Sequence, residues 1–262
     1  MIEQISQLYS HELAERSSQF MNFCEEIKPL YDIEKRRVYN QYIEPFVADN
    51  LFLCDTSLLR VIKRSEIEDC HTKILEYIWS DAKCGVTVLS DFISSICDDQ
   101  HLCELINMGN YKIINEYRQV SSNSDLNNKK VDLLIIDHNS RWFVAIENKV
   151  NSEVHNLNNT NISQLDGYYK FCKSKYRGYK SLFVLLSYRD NERYSGGNWV
   201  YADYFTLFKS LLPHSAANDI IKDYLKTIFT PLFDVESLNE YRSCGTLSQS
   251  VQFYNKVIRK TE

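Results

Sequence analysis

The first hundred residues place apolar side chains at the spacing of helices. Over residues 3–48 these positions recur every three or four residues, which predicts helices. After a break at 50–59, Ser65 and Glu68 stand at the spacing of a capping box, and apolar residues follow at helical intervals. A second helix is therefore predicted to begin there. A further helix is predicted over 86–97, so this part of the chain is expected to be mainly helical.

Beyond residue 110 the pattern becomes that of strands. Residues with high β-propensity are concentrated at 110–119, 130–137 and 141–150. The turn-rich tetrapeptide at 137–140 separates the last two segments, so 130–150 is predicted to be a β-hairpin.

Helical spacing returns at 159–175, and the apolar run at 180–187 is typical of a fully buried strand. Another strand is predicted around 198–202, and the remaining C-terminal residues are mostly helical in pattern. The order α-β-β-β-α-β predicts an α/β fold, in which a mixed sheet is flanked by helices and extended by helical additions at both ends.

The predicted hairpin would bring two carboxylates and a lysine together. Side chains alternate along a strand, so Glu147 and Lys149 share a face while Asn148 points away. The predicted turn sets Asp132 opposite Ile146, next to Glu147. Two carboxylates and a backbone carbonyl form the partial oxygen cage that Mg²⁺ prefers. Such an ion lowers the pKa of its water, and a lysine beside it can orient that water or offset charge in the transition state.

This arrangement resembles the PD-(D/E)XK nuclease superfamily, which includes restriction endonucleases and the nuclease domains of RecB-like enzymes. Fourteen residues separate Asp132 from Glu147-Asn148-Lys149, and this is the family's D…E-x-K pattern across a hairpin. The family's usual proline is replaced by Val131. The resemblance implies that Asp132 and Glu147 hold Mg²⁺ together with the backbone carbonyl of Asn148. It also implies that Lys149 serves the attacking water.

Two further motifs resemble particular branches of the superfamily. Gln164 and Tyr168 match the Q-x-x-x-Y helix that follows the catalytic hairpin in RecB-like enzymes, and at i and i+4 they share a helix face. Glu68 and His71 resemble the E-x-x-H helix of one bacterial group, which also has a strand glutamate, matched here by Glu116. By this resemblance Glu68 completes the metal shell, while Gln164 and Tyr168 steady the DNA or the lysine. Two alternatives stay open: Glu68 as a capping residue, and His71 as an ordinary hydrogen-bonded helix histidine.

The resemblance covers residues 50–187 and is not seen beyond 205. It implies a restriction-endonuclease-like core at 50–205. A helical N-terminal extension is expected at 1–49, and a mainly helical C-terminal part, packed on the core, at 206–262.

The function implied by the resemblance is Mg²⁺-dependent hydrolysis of DNA by a metal-activated water, in restriction or phage defence. Mn²⁺ is a substitute ion, RNA is an alternative substrate, and a homodimer is one arrangement that would cut both strands. Two other classes of protein stay open. One is a nuclease-fold module that binds nucleic acid or protein without cutting, although the intact Asp132, Glu147 and Lys149 speak against it. The other is a structural subunit that assembles through its N-terminal helices.

Composition and charge narrow these classes. The 262 residues are 44% hydrophobic and 13% aromatic, which excludes a disordered chain, and a net charge of −5 argues against a generic nucleic-acid binder. Residues 170–193 nevertheless carry a surplus of five positive charges. This segment is either a surface that follows phosphates or a solvated helix end.

No apolar stretch is long enough for a signal core or a bilayer span, so a cytoplasmic protein with no membrane contact is expected. The eight cysteines contain no C-x-x-C pair, and they are expected to be reduced thiols.

Overall fold

The computed structural model of the protein describes residues 2–118, 130–150, 164–188, 197–232 and 247–259. Its helices are α1 (Ile2–Val38), α2 (Glu44–Asp49), α3 (Leu58–Val61), α4 (Glu68–Trp79), α5 (Gly85–Ser94), α6 (Gln100–Asn107), α7 (Gln164–Lys175), α8 (Tyr204–Leu211), α9 (Asp219–Leu232) and α10 (Leu247–Phe253). Its strands are β1 (Lys112–Arg118), β2 (Lys130–Asp137), β3 (Trp142–Lys149), β4 (Lys180–Ser187) and β5 (Val200–Asp203).

The five strands form one mixed sheet in the order β1-β2-β3-β4-β5. Strand β2 runs antiparallel to both β1 and β3, whereas β3, β4 and β5 run parallel to one another. A parallel partner needs a crossover, and α7 lies between β3 and β4 in the chain. The α/β prediction, with a mixed sheet flanked by helices, is confirmed.

The predicted hairpin is present, but its predicted register is wrong by one residue. The turn occupies 138–141, one position later than expected. Leu133, and not Asp132, therefore lies opposite Ile146. One step further along the ladder, Asp132 is level with Glu147. The shift sets the two carboxylate residues side by side on neighbouring strands.

Alternate residues of the sheet enter two separate cores. On one face, Trp142, Val144 and Ile146 pack with residues of α4, α5, α8 and α9. On the other face, Phe143 and Ala145 pack with residues of α7. Helices therefore cover both faces of the sheet. A polar side chain on β2 or β3 lies under one of these two helical layers, according to the face to which it points.

Helices α4 and α6 differ from the prediction, as does the short α3, which overlaps the predicted break at 50–59. Helix α4 begins at Glu68, and its N-cap Ile67 makes no side-chain capping hydrogen bond. The capping-box interpretation of Ser65 and Glu68 is therefore wrong. Helix α6 was not predicted. Its N-cap is Asp99, whose carboxylate accepts a hydrogen bond of 3.1 Å from the Leu102 amide, which satisfies one of the free donors of this short helix.

Residues from both ends of the chain join the same core as the sheet, among them Ile43 and Phe253. The boundaries proposed at residues 49 and 205 stay a prediction. Within the described ranges, no helix combines the length and the apolarity that a bilayer span needs.

Candidate active site

Asp132, Glu147 and Lys149 lie together where β2 and β3 leave the core. Glu147 and Lys149 are 1% and 6% exposed, and the Lys149 Nζ lies 2.7 Å from the Glu147 Oε1. The Asp132 Oδ2 accepts a hydrogen bond of 2.8 Å from the Asn148 amide. The alternation predicted for β3 therefore holds, because its acidic and basic side chains point to the α7 face, as Phe143 and Ala145 do.

Helix α7 covers the site from this face. Gln164, its first residue, donates from Nε2 to the Glu147 Oε1 at 2.9 Å and to the Tyr168 hydroxyl at 2.7 Å. Tyr168 is also a member of the α7-side core and is 5% exposed. The i, i+4 pair thus contacts the site through Gln164 and the hydrophobic core through Tyr168.

Glu68 approaches from the other helical layer, at the start of α4. Its Oε1 accepts a hydrogen bond of 3.1 Å from the Val150 amide, just beyond β3. Its Oε2 lies 3.9 Å from the Lys149 Nζ. All six residues predicted as catalytic line one cavity of about 240 Å³ between α4 and α7, together with Thr72, Asn115, Glu116, Lys130 and Asp69.

Burial changes the ionisation of the carboxyl groups in this cavity. It raises the pKa of Asp132 to about 6 and the pKa of Glu147 to about 8. The charge of Asp132 adds to the rise at Glu147, and the attraction of Lys149 offsets only part of it. For Lys149, burial would lower the pKa, but the neighbouring Glu147, Glu68 and Asp132 together outweigh burial and raise it. The ammonium therefore stays charged at neutral pH, while Glu147 readily takes up a proton.

The polar atoms here fit a divalent cation. The Glu147 Oε2 is buried and has no hydrogen-bond partner among the described residues, although an unpaired carboxylate oxygen is costly to bury. The Lys149 carbonyl accepts from the Tyr188 amide, towards β4. The Asn148 carbonyl therefore faces the opposite side, towards Asp132, because successive carbonyls alternate along a strand.

A cation at this point would take oxygens from Asp132, Glu147 and the Asn148 carbonyl, with water as the remaining ligand. Within the part of the chain that the structure describes, no three His, Cys, Asp or Glu side chains are grouped so as to hold a metal by themselves. Glu68 as a direct ligand therefore stays a prediction, and its observed contacts are with Val150 and Lys149.

Asn148 is held from behind by residues that the sequence did not single out. Its Nδ2 donates to the Thr72 hydroxyl at 3.3 Å, and its Oδ1 accepts from the Tyr204 hydroxyl at 2.8 Å. Thr72 follows Glu68 by one helical turn, which is a weak local signal. Tyr204 carried none, because it lies 56 residues from Asn148 in the chain.

His71 belongs to the same buried layer. Its Nε2 lies 2.7 Å from the Ser65 carbonyl and its Nδ1 lies 3.0 Å from the Tyr224 hydroxyl. Burial lowers the pKa of this imidazole to about 4. A neutral ring that donates from Nε2 and accepts at Nδ1 satisfies both contacts. His71 is thus a hydrogen-bonded helix histidine, the alternative that the sequence had left open.

Glu116 lies at the rim of the cavity on β1. It forms an ion pair with Lys130, and its backbone has a φ of 49°. This left-handed conformation is uncommon for a non-glycine residue and costs energy. Glu116 was predicted to correspond to the family's strand glutamate. In the structure it lies beside the site, and its carboxylate is directed to Lys130.

The basic segment predicted at 170–193 is not gathered at this cavity. Helix α7 begins at the cavity with Gln164, and Lys175 lies at its other end, roughly 16 Å away along the axis. Lys180 starts β4 at the end of the sheet away from the cavity. Residues 189–193 lie outside the described residues. The described part of the segment fits a solvated helix end better than a surface leading to the site.

A family model of the PD-(D/E)XK nuclease superfamily matches residues 80–229, more than half of the chain. The protein therefore belongs to the PD-(D/E)XK nuclease superfamily. The match contains the whole hairpin and α7 but leaves Glu68 outside. It also runs past residue 205, so the expectation that the resemblance ends there is wrong. No curated protein and no solved structure matches the chain significantly.

Proposed function

We propose that this protein is a Mg²⁺-dependent nuclease that hydrolyses phosphodiester bonds of DNA, with Mn²⁺ as a substitute ion. One observation carries the proposal. A buried glutamate, a second carboxylate and a charged lysine meet in a cavity of about 240 Å³, and one oxygen of that glutamate has no hydrogen-bond partner in the part of the chain that the structure describes. Such a cluster is poorly suited to stabilising a fold, because burying unbalanced charge is unfavourable. It suits the binding of a cation and a phosphate.

Each residue of the site has a distinct part in the proposed chemistry. A divalent cation, when bound, supplies the Lewis acid that polarises the phosphodiester and the attacking water. The Lys149 ammonium lies beside Glu147 and can orient that water or offset charge in the transition state. Gln164 donates a hydrogen bond to the Oε1 of Glu147. The Oε2 is then the oxygen that would bind the cation.

Two further residues position this machinery. Glu68 ties the end of β3 to α4 through the Val150 amide, and it adds negative charge near Lys149. Tyr168 holds Gln164 in place through its hydroxyl. Both are proposed as positioning residues, with direct metal binding by Glu68 as a second option.

The assay that tests the proposal uses plasmid and linear DNA, and RNA in a parallel reaction, with Mg²⁺, Mn²⁺ or a chelator. We expect metal-dependent cleavage by the wild type and loss of cleavage in Lys149→Ala and Asp132→Ala. Lys209→Ala is the matched control, because this lysine is exposed on α8 outside the cavity. Cleavage that both site variants retain would reject the site.

The same assay addresses the alternative of a binding module that does not cut. That protein would bind DNA without cleaving it under any metal. The presence of the aspartate, the glutamate and the lysine in one cavity favours cleavage. A role in restriction or phage defence is a further part of the proposal and rests on the family resemblance alone. A cytoplasmic location is also proposed, from the pattern of apolar residues in the sequence.

A further inference from the structure

The middle of helix α1 stands away from the rest of the described protein. Every residue from 15 to 30 is exposed, and burial begins only at Val38. A helix without tertiary contacts is marginally stable in water, because most helical stability in proteins comes from a packed apolar face. We therefore expect another surface to pack against this part of α1 and to stabilise it.

The exposed part of α1 carries the face that a partner would cover. Phe20, Phe23, Ile27 and Leu30 are spaced by three, four and three residues and are 64%, 57%, 41% and 66% exposed. This spacing forms one stripe along the helix, the pattern of a two-helix coiled coil. Pro29 lies on the opposite face, so its ring does not enter the stripe.

We propose that this stripe, Phe20-Phe23-Ile27-Leu30, pairs antiparallel with the same stripe of a second copy of the chain. In that alignment Phe20 faces Leu30 of the other copy, and Phe23 faces Ile27. Each contact occurs twice because the pair is two-fold symmetric. Four apolar layers are formed, and all eight large side chains leave water.

Charge selects the antiparallel arrangement. The stripe continues in heptad spacing to Arg16 at one end and to Glu34 at the other. In the antiparallel alignment, Arg16 of each copy comes level with Glu34 of its partner, a carboxylate that is also bound by Arg37 of its own helix. A parallel alignment would instead set Arg16 against Arg16 and Glu34 against Glu34. Like charges at seam positions are unfavourable, whereas opposite charges at such positions specify register.

The geometry of the pair also separates the two nuclease bodies. Each helix joins its body near Val38, and the symmetry point lies close to Glu25. At 1.5 Å per residue the two attachment points would be roughly 40 Å apart. Each site would thus be complete within its own copy, and the dimer would present two of them to one nucleic acid.

The first test measures molar mass by light scattering and sedimentation on the full chain. We expect a dimer for the wild type and a monomer for Phe20→Glu/Ile27→Glu. The matched control is Ser18→Glu/Asn22→Glu, which adds the same charge on the exposed opposite face and should stay dimeric. Circular dichroism verifies that all variants are folded. A monomeric wild type, or a stripe variant that stays dimeric, would overturn the proposal.

The second test addresses direction. Arg16→Glu and Glu34→Arg alone should each weaken the dimer several-fold, and the combined exchange should restore most of the affinity. An exchange that fails to restore it overturns the antiparallel register. Both tests read mass rather than cleavage, so they can succeed or fail independently of the proposed nuclease activity.

Discussion

Neighbouring residues at the end of β3 face two opposite environments. Glu147 and Lys149 point to the cavity under α7. There the Glu147 Oε2 has no hydrogen-bond partner among the described residues, and burial raises the pKa values of Asp132 and Glu147. Asn148 points into the layer behind, where both ends of its amide are hydrogen-bonded, to Thr72 and Tyr204. The side of Glu147 and Lys149 carries charges that do not balance. The side of Asn148 is neutral, and the polar groups of its amide are hydrogen-bonded.

The difference indicates what each side contributes. A satisfied neutral network fixes the strand without a desolvation penalty. The unbalanced side costs stability, and such a cost is kept where binding or catalysis uses it. Because Asn148 joins the two sides through its backbone, the rear network holds the carbonyl that faces the proposed cation. The predictions below separate these two contributions.

The largest effect is expected from Glu147→Gln. This change keeps the shape of the side chain but removes the negative charge that would face the cation. We expect the rate of DNA cleavage in Mg²⁺ to fall by roughly 10³-fold, because several kcal/mol of transition-state stabilisation depend on that cation. Glu104→Gln, whose side chain is 72% exposed on α6, should cleave at the wild-type rate. A Glu147→Gln variant with more than a tenth of wild-type activity would contradict the assignment.

The second expected effect is a dependence on pH. As pH rises, the stability of the metal-free protein should fall and its affinity for metal should increase. The pKa of Glu147 is raised from its ordinary 4.5 to about 8, so the folded protein holds the proton more tightly than the unfolded chain does. The metal-free protein should therefore lose stability as pH rises from 4.5 through 8. Affinity for Mn²⁺ should increase over the upper part of this range, because the cation competes with that proton.

Denaturant unfolding and calorimetric titration at several pH values measure these two trends. In Glu147→Gln the fall in stability should flatten, because the remaining shifts act in opposite directions: the pKa of Asp132 is raised to about 6 and that of His71 is lowered to about 4. A wild-type stability that rises between pH 5 and 8 would contradict the assigned direction.

The smallest effect is expected on the satisfied side. Tyr204→Phe removes the hydroxyl that donates to the Asn148 amide and leaves its Oδ1 buried without that donor. We expect a loss of about 1–3 kcal/mol in the free energy of unfolding, with a modest loss of metal affinity. Thr72→Val should cost a similar amount, because it removes both the 3.3 Å hydrogen bond from Asn148 and the 2.9 Å bond that the Thr72 hydroxyl donates to the Glu68 carbonyl. Tyr77→Phe is the control, as Tyr77 is 57% exposed. Cleavage abolished by Tyr204→Phe in a stably folded protein would show that the two sides are not separable.

Local patterns predicted much of the sheet because strand periodicity and turn residues act over short distances. The segments 130–137 and 180–187 coincide with β2 and β4. The hairpin was predicted with the right face for Glu147 and Lys149, yet with a one-residue error in register. The turn residues permitted either of two positions, and the structure uses the later one, in which Arg141 adopts a φ of 55°.

What the sequence by itself determined is therefore the acidic and basic side of β3 and the Q-x-x-x-Y helix over it, since alternation and i, i+4 spacing are properties of the local chain. Only the tertiary structure decided what lies behind and beside them. Glu68 meets the Val150 amide across 82 residues, and Tyr204 meets Asn148 across 56. These contacts arise because two helical layers close on the sheet from opposite faces, and no local pattern records which side chains that packing brings together.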